Sequence, residues 1–378
     1  MKQRYGMKHE HGLRSTMTVL LAFTVVAFGH MLPVAGETEK SGNPTVSNVN
    51  ASQRDDGTGL VDIYYDLSGA AGPVMISLVF SNDNGVTWNV IPSSSMLWGA
   101  VGAGVTNGNG KHIVWDAGRD RADVYWPETR ARIRATETGT TTTFMLPGEM
   151  PLEMVRIPAG SFVMGTGYDP DWGYSDEAPP RNVTIDYEFY IGKFPVTQQQ
   201  WFNVMGSFPS GQSPVGVNHP VHYVSWNDAQ AFINQLNTLG IGTFRLPSES
   251  EWEYACRAGS NTRWYFGDDP ESLGDYAWYT ANNSPSGSKA VGQKLPNAFG
   301  LYDMHGNVWE WVQDRYNSNY EGAPSDGSAW EEGTSSTNRV RRGGAYNSSA
   351  RNCRSAARSY HNPGSRAYGN GLRLVRTP

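Results

Sequence analysis

The residues from Asn297 to Trp311, Asn-Ala-Phe-Gly-Leu-Tyr-Asp-Met-His-Gly-Asn-Val-Trp-Glu-Trp, constrain this chain more than any other stretch. They set two carboxylates, an amide and turn glycines among aromatics of the kind that cores bury. Asp303 and Glu310 lie seven positions apart, and a reversal at Gly306-Asn307 lets their carboxylates meet, with the carbonyls of Gly306 and Val308 between them. Calcium takes about 6–8 such oxygens in flexible geometry, so these four residues are a candidate calcium set. The same residue types also form tight turns and cap nearby backbone. Spacing alone fits both readings.

With 378 residues the chain is long enough for two domains. Its 43 Gly, 22 Pro, 13 Trp and 19 Tyr describe turns and aromatic packing rather than long helices. A net charge of −6, with only 17% charged residues, supplies no basic field and excludes a nucleic-acid partner. Lys2, Arg4, Lys8 and Arg14 precede an apolar run from Met17 to Phe28, and Val34-Ala-Gly36 offers small residues for cleavage. Residues 1–36 therefore read as a signal peptide of an exported protein, be it periplasmic, cell-surface or extracellular. The run falls short of the ~20 residues that span a bilayer, so no transmembrane anchor is expected.

Residues 44–137 hold short, often alternating apolar runs: Val46–Val49, Leu60–Leu67, Val74–Phe80, His112–Trp115 and Thr129–Ala135. Turn clusters at Asn82–Gly85, Asn107–Gly110 and Asp116–Gly118 separate several of them, as antiparallel hairpins demand. The expectation is an all-β sandwich of immunoglobulin or fibronectin type acting as a spacer. The Thr-rich stretch and Pro147-Gly148 make 138–150 a linker, and 151–378 a second domain.

The Asn297–Trp311 stretch resembles the GLYDMxGNVWEW signature of the formylglycine-generating enzyme family, the sulfatase-modifying-factor domain. Further blocks resemble that family in order over about 152–376: Met154–Gly165, Asp176–Arg181, Phe189–Ile191 with Val196–Gln198, His219–Val221 with Val224–Ala229, Phe244–Gly259, and Arg339–Gly344 with Gly371–Val375. The resemblance implies an α+β, loop-rich fold related to C-type lectins, and calcium-ligand roles for Asp303, Gly306, Val308 and Glu310. It also implies chemistry, because the family's enzymes use two cysteines and copper to turn a substrate protein's cysteine into formylglycine.

In the corresponding loop, Gly343–Arg358, this chain has Ala345 where the enzymes carry a serine and Ser348 at the first cysteine position. Counted without a gap, Cys353 falls on the second, although the loop is shorter than the enzymes' before Ala356-Ala-Arg358. One thiol cannot make the two-thiolate site that Cu(I) prefers. Cys256 stands where family members often place a half-cystine whose partner comes from near Arg354. Two cysteines in an exported chain are most simply one disulfide, Cys256–Cys353. His219 and His222, separated by Pro220, read as structural rather than as metal ligands.

Tyr346, Asn347, Ser348, Asn352, Tyr360, His361 and Tyr368 mix rigid aromatics with short polar side chains, the vocabulary of binding loops. An ordinary solvated loop has the same composition. The resulting expectation is a calcium-stabilised domain that binds a protein or glycan ligand and lacks cysteine-oxidase activity. Its rival is a copper-dependent oxidase of the same family acting through Cys353.

Overall fold

The structure, a computed structural model, describes residues 44–70, 74–81, 90, 92, 96–120, 130–137, 139–167, 169, 171–212, 214–332 and 336–377. The expected signal segment and the turn at Asn82–Gly85 lie outside them. Among the described residues, no helix is long and apolar enough to cross a membrane.

The first module contains β1 (Thr45–Gln53), β2 (Leu60–Ser68), β3 (Val74–Ser81), β4 (Leu97–Gly99), β5 (Gly102–Val105), β6 (Gly108–Asp116), one helical turn α1 (Ala117–Asp120) and β7 (Arg130–Glu137). They form two sheets of order β1-β2-β6-β4 and β5-β3-β7, antiparallel throughout. In β2 every second side chain, Val61, Ile63, Tyr65 and Leu67, is buried, which is the period of a half-covered strand. Ile76 and Phe80 from β3 join Ile113 and Trp115 from β6 in the same core, with the Phe80 and Trp115 rings stacked at 4.4 Å. The short strands β4 and β5 left no signal in the sequence reading.

The second domain begins earlier than expected. Thr141–Leu146, assigned above to a linker, is strand β8, paired along its length with β9 (Met150–Ile157) around the Pro147-Gly148 turn. Its threonines read as linker. Phe144, however, packs edge-on against Tyr190 and Phe244, and Leu146 is buried, so tertiary contact decides for strand. There follow β10 (Gly160–Met164), β11 (Arg181–Ile185), β12 (Phe189–Gly192), α2 (Gln198–Met205), α3 (Trp226–Asn237), β13 (Phe244–Arg245), α4 (Glu249–Arg257) and α5 (Leu273–Tyr276). The chain ends with β14 (Trp309–Arg315), β15 (Arg339–Arg342), β16 (Arg358–His361), β17 (Asn370–Leu372) and β18 (Val375–Arg376). The sheets are β13-β18-β12-β9-β8, β16-β15-β14-β17 and the hairpin β10-β11. Thr197, Ser225 and Ser248 start α2, α3 and α4 with capping boxes closed by Gln200, Asp228 and Glu251, which satisfy the first free amides of each helix.

Long loops cross the interior of this domain, and a buried carbonyl away from a strand or helix needs another donor. Arginine forks supply it. Arg342 donates to the carbonyls of Ser355, Ala356 and Ala357 and to Glu253, and Arg358 to those of Asp176 and Asn317 and to Glu249. Arg373 reaches Gly192 O and Tyr302 O, each at 2.7 Å, from an ion pair with Glu310. Arg354 pairs with Glu177. These side chains are at most 5% exposed, so helix α4 and the strands around it are held by a buried ionic frame.

Where the two modules meet, a Cβ on Gly259 at the end of α4 would lie 2.9 Å from the Met75 methyl of β3. A cleft of about 340 Å³ lies beside this contact, lined by Leu78, Val101, Phe162 and Tyr254 among others.

Candidate functional site

The chain bends around Gly306-Asn307. Asp303, Gly306 and Asn307 have φ of 56°, 75° and 59°, and a Cβ on Gly306 would run into the Trp278 backbone, with which it forms a parallel bridge. Asn307 suits a left-handed position better than most residues. Asp303 is 2% exposed; its Oδ2 accepts Gly292 N–H at 2.8 Å and its Oδ1 the Asn307 amide at 3.2 Å. Burial pushes its carboxyl up to about 6.

The other expected carboxylate is differently placed. Glu310 Oε1 and Oε2 receive Arg373 at 2.8–3.1 Å and the Trp252 indole N–H at 2.6 Å. Its charge is compensated and its lone pairs are largely used. The two carboxylates share no hydrogen-bond partner, and among the described residues no three His, Cys, Asp or Glu side chains are grouped to hold a metal ion. Asp303 fits a calcium ligand, being a buried carboxylate with no cation bonded to it. Glu310 fits only by surrendering Arg373.

Cys256 and Cys353 are both buried free thiols, which corrects the disulfide expected above. Cys256 Sγ, on α4, lies 3.9 Å from His305 Nδ1 and 4.0 Å from Met304 O. Cys353 ends a 3-10 turn, Ala350–Cys353, and packs with Trp264, Leu273 and Ala277. Cys256 belongs instead to the core around Trp252 and Met304, so the two thiols lie in different clusters. Burial pushes both thiols up to about 12, so neither is a thiolate near neutral pH. His305 is buried and its ring Nε2 accepts Tyr265 N–H at 3.2 Å; burial lowers it to about 3, leaving a neutral structural imidazole.

The expected surface residues separate into groups. Tyr368, 62% exposed, packs at 4.8 Å on Tyr223 and at 6.5 Å on His222. Burial first, and the neighbouring Tyr368 second, raise the Tyr346 phenol above its ordinary value. A Cβ on Gly369 would lie 3.6 Å from Asn347 Oδ1 and 3.8 Å from the Trp309 ring, so Asn347, Tyr368 and Trp309 form one continuous patch. Tyr360 stacks instead on Tyr316 at 3.8 Å, beside His361 on β16. Asn352 accepts the Tyr174 hydroxyl at 2.9 Å, and Ser348 turns inward to accept Ala345 N–H at 3.0 Å. Tyr223 and Arg341, both partly buried, border the patch, and the buried His222 and Trp309 pack against it; sequence reading missed all four there. They come from other blocks, brought together in part by the parallel pairing of β14 with β17, which sets Trp309 against Asn370.

A loop-rich α+β domain built on this buried turn, with arginine forks holding its interior loops, defines the class. The chain belongs to the sulfatase-modifying factor enzyme 1-like domain family, whose model matches residues 142–378. It is 30% identical to the formylglycine-generating enzyme of Mus musculus over 295 residues, covering 60% of this chain and 77% of that one. It is 31% identical to the chaperone protein LppX of Paenibacillus barcinonensis over 209 residues, 42% of this chain and 70% of that one. The structure of PvdO from Pseudomonas aeruginosa superposes over its whole length on 64% of this chain, at 33% identity and a TM-score of 0.58.

Proposed function

We propose that this protein is an exported, calcium-stabilised binding member of its family that does not oxidise cysteine, with the first module an immunoglobulin- or fibronectin-type spacer. The observation that carries the reading is the state of Cys353: a fully buried, protonated thiol, with the hydroxyl of Ser348 at the place of the first enzyme cysteine and bonded to Ala345. A hydroxyl is a hard, weakly acidic ligand where Cu(I) wants a soft anion. The likeness to a protein called a chaperone supports partner binding on this fold, and the Tyr346–Asn347–Tyr368 patch is where we place a protein or glycan ligand.

The test is direct. Purified protein is incubated with copper and a cysteine-containing sulfatase peptide, which is then examined by mass spectrometry for loss of the thiol and gain of the aldehyde; no conversion is expected. Copper-dependent turnover that disappears in Cys353→Ala would establish the oxidase reading instead.

Calcium enters this reading through Asp303. Binding only the native state at about 100 Kd adds ~2.7 kcal/mol, so wild type should melt higher in calcium than in chelator, and Asp303→Ala should lose the difference. An equal calcium shift in that variant would remove Asp303 from the site.

A further inference from the structure

Among the buried arginines of the second domain, Arg342, Arg354, Arg358 and Arg373 each hold a carboxylate. Arg341, next to Arg342 on β15 and directed to the opposite face, holds none among the described residues. Its Nε donates to Ser359 Oγ at 3.2 Å, one Nη1 proton goes to Asn370 Oδ1, and its guanidinium lies 5.1 Å from the Trp309 ring centroid. A guanidinium has five N–H donors in a fixed plane. The terminal edge, formed by the second Nη1 proton and both on Nη2, therefore has no protein acceptor among the described residues.

Two further facts point the same way. Asn370 is fully buried, and because its oxygen faces Arg341, its Nδ2 is left buried without a partner. Buried donors are nearly always satisfied, so the orphaned Asn370 amide beside the unpaired edge of Arg341 marks a place that needs an acceptor. No negative charge offsets the cation: burial alone acts on Arg341, lowering it to about 10, and Arg341 after burial lowers the neighbouring His361. The local field is positive, half-screened from water, and bordered by the Trp309, Asn347 and Tyr368 patch.

We propose that Arg341, with Asn370 beneath it and Trp309 beside it, is the site for an oxyanion carried by an acidic ligand of the Tyr346–Tyr368 surface. The proposal rests on the reading of this domain as a binding module and gives its ligand a chemical class. The free edge presents parallel N–H groups at the spacing of carboxylate or sulfate oxygens, and an oxyanion there completes the missing ion pair. The phenols of Tyr346 and Tyr368 alongside supply flat apolar area for the body that carries the anion.

The full chain is titrated with sodium sulfate and, separately, with sodium acetate against sodium chloride at constant ionic strength. Melting temperature and the indole region of a proton–nitrogen NMR spectrum are followed. A saturable response above chloride is expected for wild type; which anion saturates at the lower concentration tells sulfate from carboxylate. In Arg341→Gln the apparent Kd should weaken at least tenfold. Arg341→Lys keeps the charge and loses the fork, so intermediate binding supports the site even if the glutamine variant folds poorly. Because sulfate also stabilises proteins by exclusion from their surface, an unsaturable shift, or an equal one in a folded Arg341 variant, overturns the proposal. Copper-dependent aldehyde formation would overturn the binding reading itself, whereas loss of the anion effect without it removes only the site at Arg341.

Discussion

The two modules solve the same problem with different materials. The first buries Val61, Ile63, Phe80, Ile113 and Trp115 between two regular sheets, and its Arg54–Asp62–His112 group stays partly exposed. The second buries Glu177, Glu249, Glu253, Glu310 and four arginine partners at 0–5% exposure. The difference follows from the backbone. Paired strands satisfy their own amides and carbonyls, leaving the core free to be apolar, while interior loops leave carbonyls that arginine must reach and glutamate must then neutralise. Irregular backbone in the core thus draws charge into the core.

The sharpest test of this contrast is Glu253→Ala. It removes the acceptor of Arg257, Arg342 and Gly165 N–H together, leaving buried cations uncompensated. A loss of about 3–5 kcal/mol is expected by chemical denaturation. A loss below about 1 kcal/mol would show that the ionic frame is incidental.

A second effect is pH-dependent and confined to the second domain. Burial raises Asp303 to about 6, above its unfolded value, so the folded state binds more protons and this residue's contribution falls as pH rises from about 4 to 6. His305, lowered to about 3, acts in the opposite sense: the folded state resists its proton, and stability is lost as pH falls below about 6.5. Comparing Asp303→Asn with wild type in chelator cancels the His305 contribution. The variant should gain on wild type by up to about 3 kcal/mol between pH 4 and 8, the equivalent of a two-unit shift. Calcium should abolish the gain by holding the wild-type carboxylate ionised. A flat difference across this range would mean that Asp303 titrates normally.

The smallest effect belongs to the apolar module. Ile63→Val removes one buried methylene and should cost about 1 kcal/mol with no pH dependence between 5 and 8. A pH-dependent cost there would break the division between the two kinds of core.

What the sequence by itself determined is local. The alternation of β2 and the short apolar run of β3 placed strands of the first module, and Gly306-Asn307 marked a turn. Each is decided within a few residues, by side-chain period or the missing Cβ. Tertiary structure decided the rest. Glu310 meets Arg373 from 63 positions away, Cys256 and Cys353 fall in different core clusters, Phe144 turns a threonine-rich stretch into a strand, and Arg341 pairs with no carboxylate among the described residues. These outcomes depend on which distant segment arrives opposite a charge or a thiol. Hydrophobic period carries no record of that, because a carboxylate reads the same in sequence whether water, calcium or a buried arginine satisfies it.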